Sequence, residues 1–389
     1  MFSSRFHWDL RTNRLTQMLQ ERRQAGAQIL DLTESNPTHA GFLYPDGIRE
    51  AFAGAGTLTY DPAPAGSMAA REAVARYCAA RGSAVDPRWI LLTASTSEAY
   101  AYLFKLLADP GDEVLVPRPS YPLFEFLADM ESLVVRQYSL VYDGGWSIDL
   151  DALTAACTDR TRAIVVVNPN NPTGSFLKRA ELVRVAQLCA SRGLALIADE
   201  VFADYAFAAD ADRVSMSALE ADCLAFSMGG LSKAGGLPQV KLGWLVCGGP
   251  EKPRREAWEK LEWIADTYLS VGTPVQCAAP SLLEFAEDVQ QQIRERTAGN
   301  LACVRERLAG SAASALPVEG GWYLTLAMPR IRSEEEWALD LLERCDVLVQ
   351  PGYFYDFETE AFLVVSLLTP PCVLREGISR LTGFLASAR

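Results

Sequence analysis

Four polar segments could carry chemistry, and each follows a short apolar run. In Gly229-Gly230-Leu231-Ser232-Lys233-Ala234-Gly235-Gly236, a lysine stands among glycines behind such a run. Desolvation there depresses an amine's pKa and makes it a nucleophile for carbonyl carbon; the ordinary alternative is a solvated surface lysine. Asp199 and Glu200 close the run Leu194 to Ala198. A carboxylate at the end of a buried strand needs a cation, which an ion pair, a helix cap or a ligand supplies equally well. Asn168-Pro169-Asn170-Asn171-Pro172-Thr173-Gly174 is a turn fixed by two prolines and a glycine. From it Asn171 presents an amide to a ligand, or the segment merely connects two elements. In Thr93-Ala94-Ser95-Thr96-Ser97-Glu98 the Ser95 and Glu98 spacing is that of a capping box. Free backbone N–H groups beside the hydroxyls of Ser95, Thr96 and Ser97 suit a phosphate, though a cap alone uses the same residues.

Scarce residue types narrow the chemistry. His7 and His39 are the only histidines, so a His-rich metal centre has too few ligands, and another group must move protons. Nine cysteines without a C-x-x-C pair point to reduced, mostly buried thiols. Gly230-Leu231-Ser232-Lys233-Ala234 comes close to the hydrolase elbow G-x-S-x-G, but that fold needs a histidine after the serine, and both lie upstream. No G-x-G-x-x-G joins a strand to a helix, which disfavours a nicotinamide dehydrogenase.

The elements that position these segments read as α/β. Trp89 to Thr93, Val114 to Pro117, Ala163 to Val167, Leu194 to Ala198 and Leu224 to Ser227 are predicted strands of a mostly parallel sheet. Glu98 to Ala108 and Glu181 to Ser191 place apolar residues at helical intervals between them. In open sheets of this kind ligands bind beyond the carboxyl ends of the strands, where the four polar segments lie. A helix is expected over Leu15 to Ala25 and a long polar one over Glu284 to Leu308, with short strands near Tyr323 to Ala327 and Phe362 to Leu367. The expected division is an N-terminal arm (1–45) belonging to a small domain, a large domain (46–283) and the C-terminal part of the small domain (284–389).

The chain has 389 residues, 49% hydrophobic and 22% charged, which fits two or three packed domains. Its net charge of -13 has the wrong sign for nucleic acid as a main partner. No run approaches the ~20 apolar residues of a spanning helix, and the first residues lack an apolar leader, so a cytoplasmic protein with no membrane partner is expected.

Taken together, the segments resemble the pyridoxal-phosphate enzymes of fold type I, and specifically the class I/II, aspartate aminotransferase-like aminotransferases. Asn-Pro-Asn-Asn-Pro-Thr-Gly, Asp-Glu-Val and Ser-Lys occur in that family's order, and Tyr60-Asp61-Pro62 through Gly66, Arg71-Glu72-Ala73, Gly320-Gly321-Trp322-Tyr323 and Pro351-Gly352-Tyr353-Phe354 resemble its flanking motifs. The resemblance implies a large domain with a mostly parallel central sheet, a smaller α/β domain built from both chain ends, and a homodimer. It implies pyridoxal 5'-phosphate as cofactor, with Lys233 holding it as an internal aldimine and shuttling the substrate proton. Asp199 would pair with the pyridine nitrogen, Asn171 would bond the 3-oxygen and Tyr121 would stack on the ring. Ser95, Thr96, Ser97, Ser232 and Lys241 would seat the phosphate, with Tyr60 reaching that of the neighbouring subunit. The implied reaction moves an amino group between an amino acid and a 2-oxo acid.

Four positions depart from the family pattern. Phe202 stands where a tyrosine is usual, Lys241 where an arginine is usual, and Gly230 where a second phosphate-binding serine is common. Val364 occupies the place of the arginine that clamps the substrate carboxylate, and no arginine lies between Pro351 and Cys372. Arg11, Arg14 or Arg118 could replace it, or each is a surface ion pair; Ser35 and Asn36 offer neutral donors to the substrate. Trp322, Tyr323, Tyr353 and Phe354 line an apolar substrate pocket or form domain core. The missing arginine keeps two alternatives open: a pyridoxal-phosphate-dependent lyase or decarboxylase, and a non-catalytic protein that binds the cofactor.

Overall fold

The computed structural model describes residues 2–387 apart from 211, 215, 216, 270 and 360. Its central sheet has eight strands, in the order Ile90–Thr93, Gly243–Gly248, Ala225–Gly230, Ala195–Asp199, Thr161–Val167, Glu113–Arg118, Val134–Tyr142 and Trp146–Ile148. From Ala225–Gly230 to Val134–Tyr142 every neighbouring pair is parallel. Gly243–Gly248 runs antiparallel to both of its neighbours, and Trp146–Ile148 closes the far edge antiparallel.

Alternation along the inner strands sorts side chains into two separate cores. Ala163, Val165, Ala195, Ile197, Phe226 and Met228 pack on one face, under Tyr100 and Leu103 of the helix Thr96–Leu107 and Trp258 and Leu261 of the helix Glu251–Tyr268. Ile164, Val166, Leu196 and Ala198 pack on the other, under Leu182, Val185 and Cys189 of the helix Arg179–Arg192. The inner strands are therefore largely apolar on both faces, and the polar segments that could do chemistry emerge at their ends.

Apart from the start of the long polar helix, the expected strands and helices are present with ends shifted by at most three residues. Three strands of the central sheet were not anticipated, the short edge strand Trp146–Ile148 and two longer ones. Gly243–Gly248 sits in a glycine-flanked run, and Val134–Tyr142 is a largely exposed strand next to the sheet edge that lacks a continuous apolar signature. The long polar helix begins earlier than expected, as a single helix Thr273–Leu308 with Pro280 inside it. The division expected at 283/284 falls within it. Its first half supplies Val275, Ala278, Ala279 and Leu282 to a core beside Ile90 and Leu92; its last turns supply Leu301, Val304 and Leu308 to another.

That other core joins the two ends of the chain. Leu15 and Leu32 pack with Leu324, Leu341, Leu363 and Leu381, and Leu30–Asp31 pairs in parallel with Val347–Leu348. Beside it Ser314–Ala315, Tyr323–Ala327, Phe362–Ser366 and Gln350–Pro351 form an antiparallel sheet in that order. All nine cysteines are free; Cys78, Cys189, Cys223 and Cys247 are buried, while Cys277 and Cys372 are exposed. Among the described residues no helix is long and apolar enough to cross a membrane.

Candidate active site

Strand register assembles the site. Asp199 ends its strand opposite Val167 and Met228, so the turn after Val167 and the glycines after Met228 flank it. Gly243 pairs with Thr93 on one side and Gly230 on the other, which sets the Ser95 loop beside Ser232 and Lys233. A Cβ on Gly243 would come within 3.0 Å of Thr93 Oγ1 and 3.1 Å of the Ser95 carbonyl carbon. A side chain there would displace the loop, and the glycine leaves a cradle between the two.

One cavity of about 480 Å3 gathers Ser95, Thr96, Ser97, Tyr121, Asn171, Asp199, Ser232, Lys233 and Lys241. Of the two expected substrate donors it includes Ser35 and not Asn36, whose side-chain oxygen instead accepts from the Thr38 N–H at 3.0 Å and hydroxyl at 2.7 Å. Tyr60 is 67% exposed and lies outside the cavity lining. None of the three candidate arginines lines the cavity. Arg11 is an exposed partner of Asp9, Arg14 is exposed at the start of the first helix, and Arg118 donates to the Asp356 carbonyl. Of the four aromatic residues with two readings, only Tyr323 lines this cavity.

The capping box is real. Ser95 Oγ accepts from the Glu98 N–H at 3.2 Å, and a Glu98 carboxylate oxygen accepts from the Ala94 N–H at 2.6 Å. Because Thr96 and Ser97 are the first residues of the helix Thr96–Leu107, their hydroxyls stand beside its positive end.

Lys233 lies on the short helix Leu231–Ala234, which follows the strand Ala225–Gly230 directly. Its Nζ sits 4.9 Å from the Trp322 ring centre and 5.4 Å from that of Phe202. Burial among these groups brings the amine down to about 8, against the opposing pull of the Asp199 charge. At neutral pH a useful fraction is therefore the unprotonated nucleophile. Burial pushes the Asp199 carboxyl up, while the Val201 N–H at 3.3 Å, the Tyr100 hydroxyl at 3.0 Å and the Lys233 charge hold it down. Burial and the neighbouring Asp199 keep Tyr100 protonated, as a donor must be.

Sequence reasoning missed Tyr100, Tyr205 and the placing of Trp322 over the lysine. Tyr100 was within reach: it lies four residues after Thr96 on one helix, on the face that the cap turns toward the cavity. Tyr205 had no local signal. Its hydroxyl donates to the Lys233 carbonyl at 2.5 Å across 28 residues of chain.

The residues fit pyridoxal phosphate. Asn171 is 7% exposed and lines the cavity, and no partner holds its side-chain oxygen, so the amide can turn its N–H groups toward an accepting ligand oxygen. A desolvated amine, a buried carboxylate and a hydroxyl-lined helix N-terminus in one cavity match an aldehyde, a basic ring nitrogen and a phosphate respectively. Fold and cavity thus define a pyridoxal-phosphate-dependent aminotransferase of fold type I. The chain belongs to the aminotransferase class I and II family, whose profile matches residues 27–381.

Among curated relatives, the glutamate-pyruvate aminotransferase AlaA of Escherichia coli (strain K12) is 31% identical over 272 residues, covering 69% of this chain and 67% of AlaA. The alanine aminotransferase of Mycobacterium bovis is 29% identical over 382 residues, covering 94% of this chain and 87% of its own. The solved alanine aminotransferase from Pyrococcus furiosus superposes with a TM-score of 0.89 at 25% identity, over 100% of both chains. A double mutant of the Thermus thermophilus aspartate aminotransferase gives 0.86 at 25% identity, over 99% of this chain and 100% of its own.

Proposed function

We propose that this aminotransferase holds pyridoxal phosphate on Lys233 and passes nitrogen from an amino acid to a 2-oxo acid. The observation that carries the reading is the single cavity of about 480 Å3 in which Lys233, Asp199, Asn171 and the Ser95 loop meet. The relatives named for alanine, glutamate and pyruvate point to the same substrate classes. Bound pyridoxal phosphate supplies an electron sink for the carbanion left when the substrate's Cα–H bond breaks.

The residues of the chain do the rest. Lys233 Nζ, held near 8 by burial, takes the proton from the substrate carbon and returns it at the neighbouring position. Asp199 keeps a protonated ring nitrogen charged through its carboxylate, which Tyr100 orients. Asn171 donates its amide to the ring oxygen, and Tyr121 covers the ring face. The hydroxyls of Ser95, Thr96, Ser97 and Ser232 receive the phosphate at a helix N-terminus, and Lys241 adds a charge. Phe202 packs where a tyrosine would give the ring oxygen a second donor.

The proposal extends to a cytoplasmic homodimer in which Tyr60, exposed on this chain, reaches the phosphate in the neighbouring subunit. It also keeps the division into an arm (1–45), a large domain (46–283) and a small domain (284–389). Adding pyridoxal phosphate should give the absorbance band of lysine-bound cofactor, and one amino acid of a panel should convert it to the amine form. Lys233→Ala should show neither; a variant that retains both overturns the reading.

A further inference from the structure

The cavity around Lys233 adjoins a wider groove of about 860 Å3, and the two share Tyr121, Phe124, Gln350 and Tyr355 as walls. A substrate longer than the inner cavity therefore continues into the groove. The charges lining the two spaces are one-sided. Inside, the only charged groups are Asp199, Lys233 and Lys241, and both lysines are committed to the cofactor. The groove is lined by Glu125, Asp129 and Asp356, with no lysine or arginine among its lining residues.

Nearby basic side chains are already engaged. Arg118 donates to the Asp356 carbonyl at 2.8 Å and lies 3.8 Å from Glu358, and the His7 ring lies 3.8 Å from Asp129. Ser120 is an independent sign of a ligand. It is 4% exposed and lines the groove, and its hydroxyl has no partner. A buried hydroxyl is favoured when it accepts from an N–H, and a ligand in the groove brings one.

We propose that the groove is an outer substrate subsite and that the amino substrate is a primary amine bearing a second, positively charged nitrogen. That chemistry is shared by basic amino acids and diamines. The inference rests on Lys233 being the reacting lysine, as argued above. The distal ammonium is attracted by Glu125 and by the charges of Asp129 and Asp356, whose carboxylates also accept from the Trp8 indole at 2.6 Å and the Gln137 amide at 2.9 Å, and it donates to Ser120, whereas a distal carboxylate meets three like charges. Overall, the amine and a 2-oxo acid give a carbonyl compound and an amino acid. The amine carbon is oxidised as the oxo carbon is reduced, nitrogen and electrons balance between them, and the distal nitrogen is unchanged. A small 2-oxo acid stays in the inner cavity, where the Ser35 and Tyr323 hydroxyls are neutral donors.

The test adds L-lysine, 1,5-diaminopentane or L-glutamate to the cofactor-loaded chain at equal, sub-saturating concentration and follows the absorbance band. At least one of the two cationic amines should convert it tenfold or more faster than glutamate. The faster of the two names the source, diamine or amino acid. The double variant Glu125→Gln/Asp356→Asn should raise the half-saturating concentration of diaminopentane at least fivefold and narrow the preference over glutamate. Added salt should narrow it as well. Glutamate matching the cationic amines, no response to either cation, or a preference untouched by the double variant overturns the proposal. A chain that develops no band before any amine is added fails earlier, on the Lys233 reading itself.

Discussion

The Tyr205 hydroxyl donates to the backbone carbonyl of Lys233 at 2.5 Å, while the lysine's amine lies against Trp322 and Phe202. The bond therefore fixes where the side chain leaves the backbone without touching the reacting nitrogen. Tyr205 is in turn set edge-on against Trp322, with ring centres 5.1 Å apart. Tyr205→Phe keeps the ring and strands a buried acceptor, so it should destabilise the chain by about 1–3 kcal/mol. Chemical denaturation should show this as a lower midpoint at unchanged slope. The titration of the Lys233 amine should stay put; a shift there would mean that the hydroxyl acts on the nitrogen.

Proton loss from Lys233 sets the pH dependence of cofactor capture. The amine is brought down to about 8 by burial, so the neutral form grows as pH rises through that value. The capture rate should rise with a midpoint near pH 8 and level off about one unit above it. Asp199 favours the protonated amine, so removing its charge with Asp199→Asn should move the midpoint to lower pH. Stopped-flow absorbance across a pH series reads both. A midpoint that moves up in the variant contradicts the assigned electrostatics.

The phosphate seat is separable from the rest of the site by using pyridoxal with and without its phosphate. Lys241 is exposed at the cavity wall in a left-handed backbone conformation with φ 59°. An exposed charge is screened, so Lys241→Ala should weaken pyridoxal phosphate only about two- to fivefold at low salt. The difference should shrink at high salt and be absent for unphosphorylated pyridoxal. Equal losses with both compounds would place Lys241's effect elsewhere than on the phosphate.

What the sequence discloses follows from how local each signal is. Asp199, Asn171 and the Ser95 loop were readable because an apolar strand ending in polar residues is a continuous pattern. The strand Gly243–Gly248 was not, although it fills the sheet between Ile90–Thr93 and Ala225–Gly230 and its glycine shapes the cradle. Its antiparallel pairing is decided by two distant strands. The same holds for Trp322, which comes to Lys233 from 89 positions along the chain. The candidate arginines fail for the converse reason. Arg11, Arg14 and Arg118 have the right charge, but only the tertiary arrangement tells that none lines the cavity.

Val364 sharpens the question of what the cavity accepts. It is wholly buried, pairs across the small sheet with Thr325 and Gln350, and packs with Tyr355 and Phe357. It does not itself line the cavity, but its neighbour Tyr355 and its cross-strand partner Gln350 do. Val364→Arg would press a guanidinium among Tyr355, Phe357 and Phe362, which should destabilise the chain by about 3–5 kcal/mol. A bound dianion would relieve that charge, and a ligand at a hundred times its Kd contributes about 2.7 kcal/mol to the state that binds it. Glutarate should therefore raise the melting temperature of Val364→Arg more than that of the unaltered chain. If glutarate stabilises the unaltered chain as strongly, a cation already serves carboxylates there, and the charge assignment of the cavity is wrong.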